Sequence, residues 1–188
     1  MESAIGFLEL SSIAKGIESI DALLKMAQVD LLYAQAVPRG KYLILINGKL
    51  GELEQSMQAG KETAGPALLD SFIIPNVDSQ VLPAFQGKIV LPEIEAVGVI
   101  ETKDVARALL AADVAVKKAA ITLIEIFHGR GAGGKGFVTF TGEVGAVRTA
   151  VNAGVSSIQP KDALISSIVL PYAHKGLLPV LTGKEAAR

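Results

Sequence analysis

Ala4-Ile5-Gly6-Phe7-Leu8-Glu9 returns as Ala96-Val97-Gly98-Val99-Ile100-Glu101, and the repetition continues along both halves of the chain. Asp21, Lys25 and Ala27 reappear as Asp113, Lys117 and Ala119 at the same offset. Asn47-Gly48 followed by Leu50-Gly51 reappears as Thr141-Gly142 followed by Val144-Gly145, and Ile74-Pro75 as Leu170-Pro171. Small insertions are enough to keep the two halves in step. Self-similarity over a whole chain indicates tandem copies of one structural unit. The 188 residues then divide into two domains of about 90 residues, at the small end of the domain range. Two similar surfaces on one chain suit pseudosymmetric assembly, which points to an architectural role before any motif is weighed.

Each copy has the same order of elements. Ala4–Glu9 is a short apolar strand, and Ser11 or Ser12 can cap the helix after it. Ile13, Ile17, Ile20 and Leu24 lie at helical spacing, matched by Val105, Leu109, Ala112 and Val116. Val29–Val37 and Lys41–Ile46 are rich in branched apolar residues and read as paired strands around the turn Pro38-Arg39-Gly40. Leu50, Leu53 and Met57 mark a second helix, echoed by Val144, Val147 and Val151. Ala67–Ile74 is a fourth strand, stopped by Pro75, with a short helical piece near Ser79–Phe85. Strand, helix, strand, strand, helix, strand is the split βαβ order of ferredoxin-like α+β domains. The expected layout is a first domain over residues 1–86, a linker over 87–95, a second domain over 96–181 and a polar tail over 182–188.

Composition excludes several classes of function. Half the residues are hydrophobic and one fifth are charged, so cores can form and surplus apolar surface can be buried between subunits. Net charge is −1, which gives no electrostatic case for nucleic acid or an anionic lipid membrane. The chain has no Cys, and therefore no disulfide, thiol nucleophile or thiolate-held metal. His128 and His174 form no metal set, since a zinc site needs three or four ligands together. No cofactor is expected. Apolar runs are too short to span a bilayer, and the N-terminus lacks a signal-peptide pattern, so the cytoplasm is the expected compartment.

The glycine-rich string Gly129-Arg130-Gly131-Ala132-Gly133-Gly134-Lys135 satisfies G-x-G-x-x-G and the first part of a P-loop. Phosphate binding by either motif needs a helix N-terminus immediately after the glycines. Here Phe137-Val138-Thr139-Phe140 comes next, which reads as a strand, and position 136 is Gly where a P-loop has Ser or Thr. The repeat aligns this string with the Pro38–Gly40 turn. A phosphate- or nucleotide-binding sensor or enzyme built on this loop is the alternative reading. It lacks a nucleophile, base and orienting group.

The element order and the local strings Ala4-Ile5-Gly6-Phe7-Leu8-Glu9-Leu10, Asp21-Ala22-Leu23-Leu24-Lys25, Gly134-Lys135-Gly136-Phe137-Val138-Thr139, Gly142-Glu143-Val144-Gly145-Ala146-Val147 and Leu170-Pro171-Tyr172-Ala173-His174 resemble bacterial microcompartment shell proteins. The resemblance covers nearly the whole chain. It is closest to the tandem-domain, trimer-forming kind in unpermuted order, of the propanediol-utilisation type. It implies a homotrimer that mimics a hexamer and tiles with other shell proteins around enclosed enzymes. A central pore would pass small metabolites.

On that resemblance, Val37, Pro38, Arg39 and Gly40 of the first copy and His128, Arg130, Gly131, Ala132 and Gly133 of the second line the pore. Rings of Arg there favour anions. Lys25 and Lys117, each four residues after an Asp, support their own helices by acid-before-base spacing. The family also places this lysine at the edge of the tile, together with Asn76, Tyr172 and His174. Some relatives hold an iron–sulfur cluster on a first-domain pore cysteine. Val37-Pro38-Arg39-Gly40-Lys41 has none, so no such cluster is expected. Many relatives also carry Arg where Asn76 and Tyr172 stand.

Overall fold

A computed structural model describes residues 4–127 and 135–182. The chain forms two compact units, the first ending at Val77 and the second beginning at Asp78. In the first, β1 (Ala4–Leu10) leads to α1 (Ile13–Met26), β2 (Asp30–Val37), β3 (Lys41–Gly48), α2 (Leu50–Ala64) and β4 (Leu68–Ile74). In the second, a short α3 (Val81–Phe85) precedes β5 (Ala96–Thr102), α4 (Val105–Lys118), β6 (Thr122–Phe127), β7 (Gly136–Gly142), α5 (Val144–Ser157), β8 (Leu164–Leu170) and α6 (Leu178–Leu181). The sheets have the orders β2-β3-β1-β4 and β6-β7-β5-β8, with antiparallel pairing throughout. The duplicated βαββαβ unit read from the repeat is therefore present in both halves.

Local chemistry explains the helix starts. Ser12 Oγ accepts from the Lys15 N–H at 3.3 Å, and Asp104 Oδ1 accepts from the Arg107 N–H at 2.9 Å. Glu143 caps α5 by accepting from the Gly145 and Ala146 amides. Each satisfies donors that a helix N-terminus leaves free.

The apolar stripe of α1 is helical in spacing, yet only Ile20 of its four residues packs against the core. Gly16, Ser19 and Leu23 are buried, while Ile13, Ile17 and Leu24 are exposed. The cause is close approach: a Cβ on Gly60 of α2 would lie 2.7 Å from Leu23, and one on Gly16 would lie 2.5 Å from the Tyr42 ring. Glycine at these two contacts lets the helices settle onto the core of Leu8, Leu10, Ile44, Ile46, Leu53 and Met57. In α4 the corresponding Val105, Leu109 and Ala112 are buried.

The divide between units falls earlier than the expected domain end at residue 86. Val81, Ala84 and Phe85 are buried within the second unit, where α3 packs on β6 and α4. The stretch over 87–95 carries no helix or strand. Residues 183–188 of the expected tail lie outside the described residues.

Candidate pore loop and edge surfaces

The turn between β2 and β3 is built by Pro38, Arg39 and Gly40. Arg39 has φ 67° and Gly40 φ 70°. Successive positive φ values are what tight hairpin turns need to match strand twist. Gly40 adopts this without steric cost, and a Cβ there would meet nothing within 4 Å. Arg39 adopts it at a cost of about 1 kcal/mol and stands exposed. Val37 and Pro38 are half-buried beneath it.

At the base of this turn, Lys41 Nζ lies 2.5 Å from Oε1 of Glu9, which is 2% exposed. The second unit repeats the arrangement with Lys135 and Glu101 at 3.0 Å. Neither pair stands out in the sequence, because the partners lie far apart along the chain. The signal was present all the same: both Glu and both Lys recur in the repeat. Each pair neutralises the lysine that flanks its turn. Arg39 is then the uncompensated charge at the tip of the first.

The expected counterparts His128, Arg130, Gly131, Ala132 and Gly133 lie outside the described residues. The segment bounding them is informative. Phe127 ends β6 and Gly136 opens β7, so the glycines lead into a strand. Lys135 is committed to Glu101. A phosphate loop requires a helix at this place and a free lysine, and among the described residues neither is found.

Tyr33 on β2 and Glu125 on β6 occupy matching positions on the strands that lead to these turns. Burial pushes both the phenol and the carboxyl above their ordinary pKa values. Among the described residues, no group of three or more His, Cys, Asp or Glu is placed to hold a metal ion.

The proposed edge residues fall at helix ends and at the turns after β4 and β8. Lys25 Nζ lies 2.6 Å from Asp21 Oδ2, and Lys117 Nζ lies 2.6 Å from Asp113 Oδ2. The acid-before-base pairing is thus made in both copies. The first pair is exposed, whereas Asp113 is buried. Asn76 has φ 57°, a conformation Asn tolerates, and is exposed in the turn after β4. Tyr172 is 97% exposed at the rim of an open depression of about 460 Å³, bounded also by Ile94, Glu95, Glu143 and Pro171. His174 is exposed, and its Nδ1 accepts from the Gly176 N–H at 3.1 Å.

Two four-stranded α+β units of the same strand order in tandem define a class of duplicated-domain protein. The family model of the BMC domain matches twice, over residues 4–77 and 96–173. The chain belongs to the BMC-domain family of bacterial microcompartment shell proteins, with two such domains in tandem. It is 40% identical over 177 residues to the bacterial microcompartment shell protein PduT of Citrobacter freundii, covering 94% of this chain and 96% of that one. It also resembles the crystal structure of a microcompartment protein from Desulfitobacterium hafniense, with a TM-score of 0.87 and 45% identity over 94% of this chain and 98% of that one. A fused permuted hexameric shell protein of the RMM microcompartment, at 24% identity and a TM-score of 0.61, shares the fold over 85% of this chain and 83% of its own.

Proposed function

We propose that three copies of this chain close into a pseudohexameric tile of a microcompartment shell, with a pore on the three-fold axis. The tandem duplication carries this reading: each copy supplies two equivalent α+β units, so three copies supply six. Closed cyclic symmetry is the usual outcome for such a chain. The role is structural, with no catalytic step assigned to any residue. The similarity to PduT over nearly the full length supports placement in a shell with other shell proteins.

The pore is lined by Val37, Pro38, Arg39 and Gly40 from one unit and by His128, Arg130, Gly131, Ala132 and Gly133 from the other. Its charge favours small anionic metabolites such as carboxylates and phosphorylated intermediates. Lys25, Lys117, Asn76, Tyr172 and His174 form the tile edge. Tyr172, almost wholly exposed, offers a large amphipathic contact beside its depression.

Native mass measurement of the purified chain is expected to give three copies, and electron microscopy flat discs or sheets of three-fold symmetry. A stable monomer under mild conditions overturns the reading. Edge contact has its own test. Changing Lys25 and Lys117 together to Glu is expected to leave the three-copy mass unchanged while abolishing most sheet formation, because attraction becomes like-charge repulsion with neighbouring acids. If the double variant tiles as the parent does, these lysines serve only their own helices.

A further inference from the structure

The segment after each fourth strand has the same sequence plan. Asp78-Ser79-Gln80-Val81-Leu82-Pro83-Ala84-Phe85 corresponds to His174-Lys175-Gly176-Leu177-Leu178-Pro179-Val180-Leu181. The two segments also fold alike. The Gln80 N–H donates to Asp78 Oδ1 at 2.9 Å, and the Gly176 N–H donates to His174 Nδ1 at 3.1 Å. The Val81 N–H donates to the Asp78 carbonyl, and the Leu177 N–H to the His174 carbonyl.

Their surroundings differ. The first segment is seated on the second unit. Its Asp78 N–H donates to Asp113 Oδ1 at 2.9 Å. Gln80 clamps the edge strand β6, donating to the Ile121 carbonyl and accepting from the Leu123 N–H. Val81 and Ala84 are fully buried. The second segment has no such seat among the described residues: Val180, the counterpart of Ala84, is 68% exposed.

The receiving surface shows the complementary difference. On the second unit, Val105, Leu109 and Leu123 are 2% exposed or less. Their counterparts on the first unit, Ile13, Ile17 and Leu31, are 44%, 58% and 40% exposed. Asp113 is buried beneath α3, while its counterpart Asp21 is open to solvent. An apolar helix face, an open acceptor and the edge strand β2 are thus left without the segment that covers their equivalents. An apolar segment of the matching plan stands uncovered at the other end of the chain.

We infer that His174–Leu181 of one copy docks on α1 and the edge of β2 of the next copy, as Asp78–Phe85 docks on α4 and β6 within the chain. The His174 N–H donates to Asp21, which moves His174 from the tile edge to the joint between copies, and Leu177 and Val180 cover Ile13 and Ile17. Gly176 replaces Gln80, so this joint lacks the edge-strand clamp and depends on apolar contact. The contact is heterologous, and three such contacts close a ring. The inference rests on the three-copy reading and names the segment that joins the copies.

The absence of native cysteine makes engineered thiols unique. Asp21→Cys and His174→Cys chains are co-expressed, purified as mixed assemblies and treated with a short bismaleimide. The expected product is a covalent two-chain species in the mixture, with none when either variant is treated alone. In the doubly substituted chain, linkage through to three chains is expected. Separately, Leu177→Asp with Val180→Asp is expected to weaken assembly at least tenfold by native mass measurement while leaving far-ultraviolet circular dichroism unchanged. A three-copy parent with no cross-chain product overturns this inference and leaves the trimer intact. A product within single chains of the double variant means the segment folds back on its own first unit, and overturns it too. A monomeric parent overturns both readings.

Discussion

Replacing Gly136 by alanine is expected to lower the midpoint of thermal unfolding by roughly 10 °C, the consequence of about 3 kcal/mol of overpacking. Gly136 opens β7 directly beneath the start of α4. A Cβ there would lie 2.7 Å from the Asp104 carbonyl oxygen, 2.8 Å from Val105 Cα and 2.9 Å from Ala108 Cβ. Two of these neighbours are backbone and none is the flexible end of a side chain, so the helix itself must move. It is also tied in place: Thr102 Oγ1 lies 2.7 Å from the Asp104 carbonyl and 3.1 Å from that of Gly136. The first unit solves the same spacing in the opposite way. Tyr42 takes the strand position and Gly16 the helix position, in contact. Gly51→Ala is the control, since a Cβ there meets nothing within 4 Å and alanine favours the α2 helix. It is expected to be neutral or slightly stabilising. Circular dichroism melts of both variants decide the matter. A Gly136→Ala protein melting with the parent means the α4–β7 spacing is softer than its contacts require.

Arg39→Ala combined with Arg130→Ala is expected to reduce anion passage about tenfold relative to cations of similar size. The reason lies in which charges remain. Lys41 and Lys135, the lysines nearest the two turns, are matched by Glu9 and Glu101. The tip of the first turn carries Arg39, exposed and in a left-handed conformation. Three copies around one axis would place three such guanidinium groups near each passing ion. At an effective dielectric of about 20 and a distance of about 8 Å, each contributes roughly 2 kcal/mol before screening. Salt reduces this, and a residual change of about 1.4 kcal/mol in the barrier corresponds to the tenfold effect. Arg39→Ala alone should fall between parent and double variant. Conductance of reconstituted sheets in a planar membrane, with a carboxylate against a small cation, is the measurement. Unchanged selectivity in the double variant means the arginines face away from the path, and the anion preference is lost as a proposal.

Much of this molecule was legible before its structure. The βαββαβ order comes from strand and helix periods interrupted by Pro and Gly, and its recurrence from the repeat. The Asp21–Lys25 and Asp113–Lys117 pairs come from four-residue spacing on a helix. The strand after Gly134 was readable in Phe137–Phe140, and it removed the phosphate-loop reading on physical grounds. These are local properties, set by residues within a few positions of one another.

Other features required the assembled chain. Helical periodicity picks out Ile13, Ile17, Ile20 and Leu24 as the apolar stripe of α1, but it does not say which part of that stripe is covered. Close approach at Gly16 and Gly60 sets Gly16, Ser19 and Leu23 against the core with Ile20 partly covered beside them, and leaves Ile13, Ile17 and Leu24 exposed. The Glu9–Lys41 pair depends on the β1–β3 register, which brings residues remote in sequence side by side. The segment Asp78–Phe85 reads as the end of the first domain but buries with the second, because burial depends on where the chain runs next. Sequence by itself determined the kind of unit, its duplication and the place of its turns. Tertiary structure alone decided which faces are covered and which remain open, because those are set by distances between elements that no local pattern encodes.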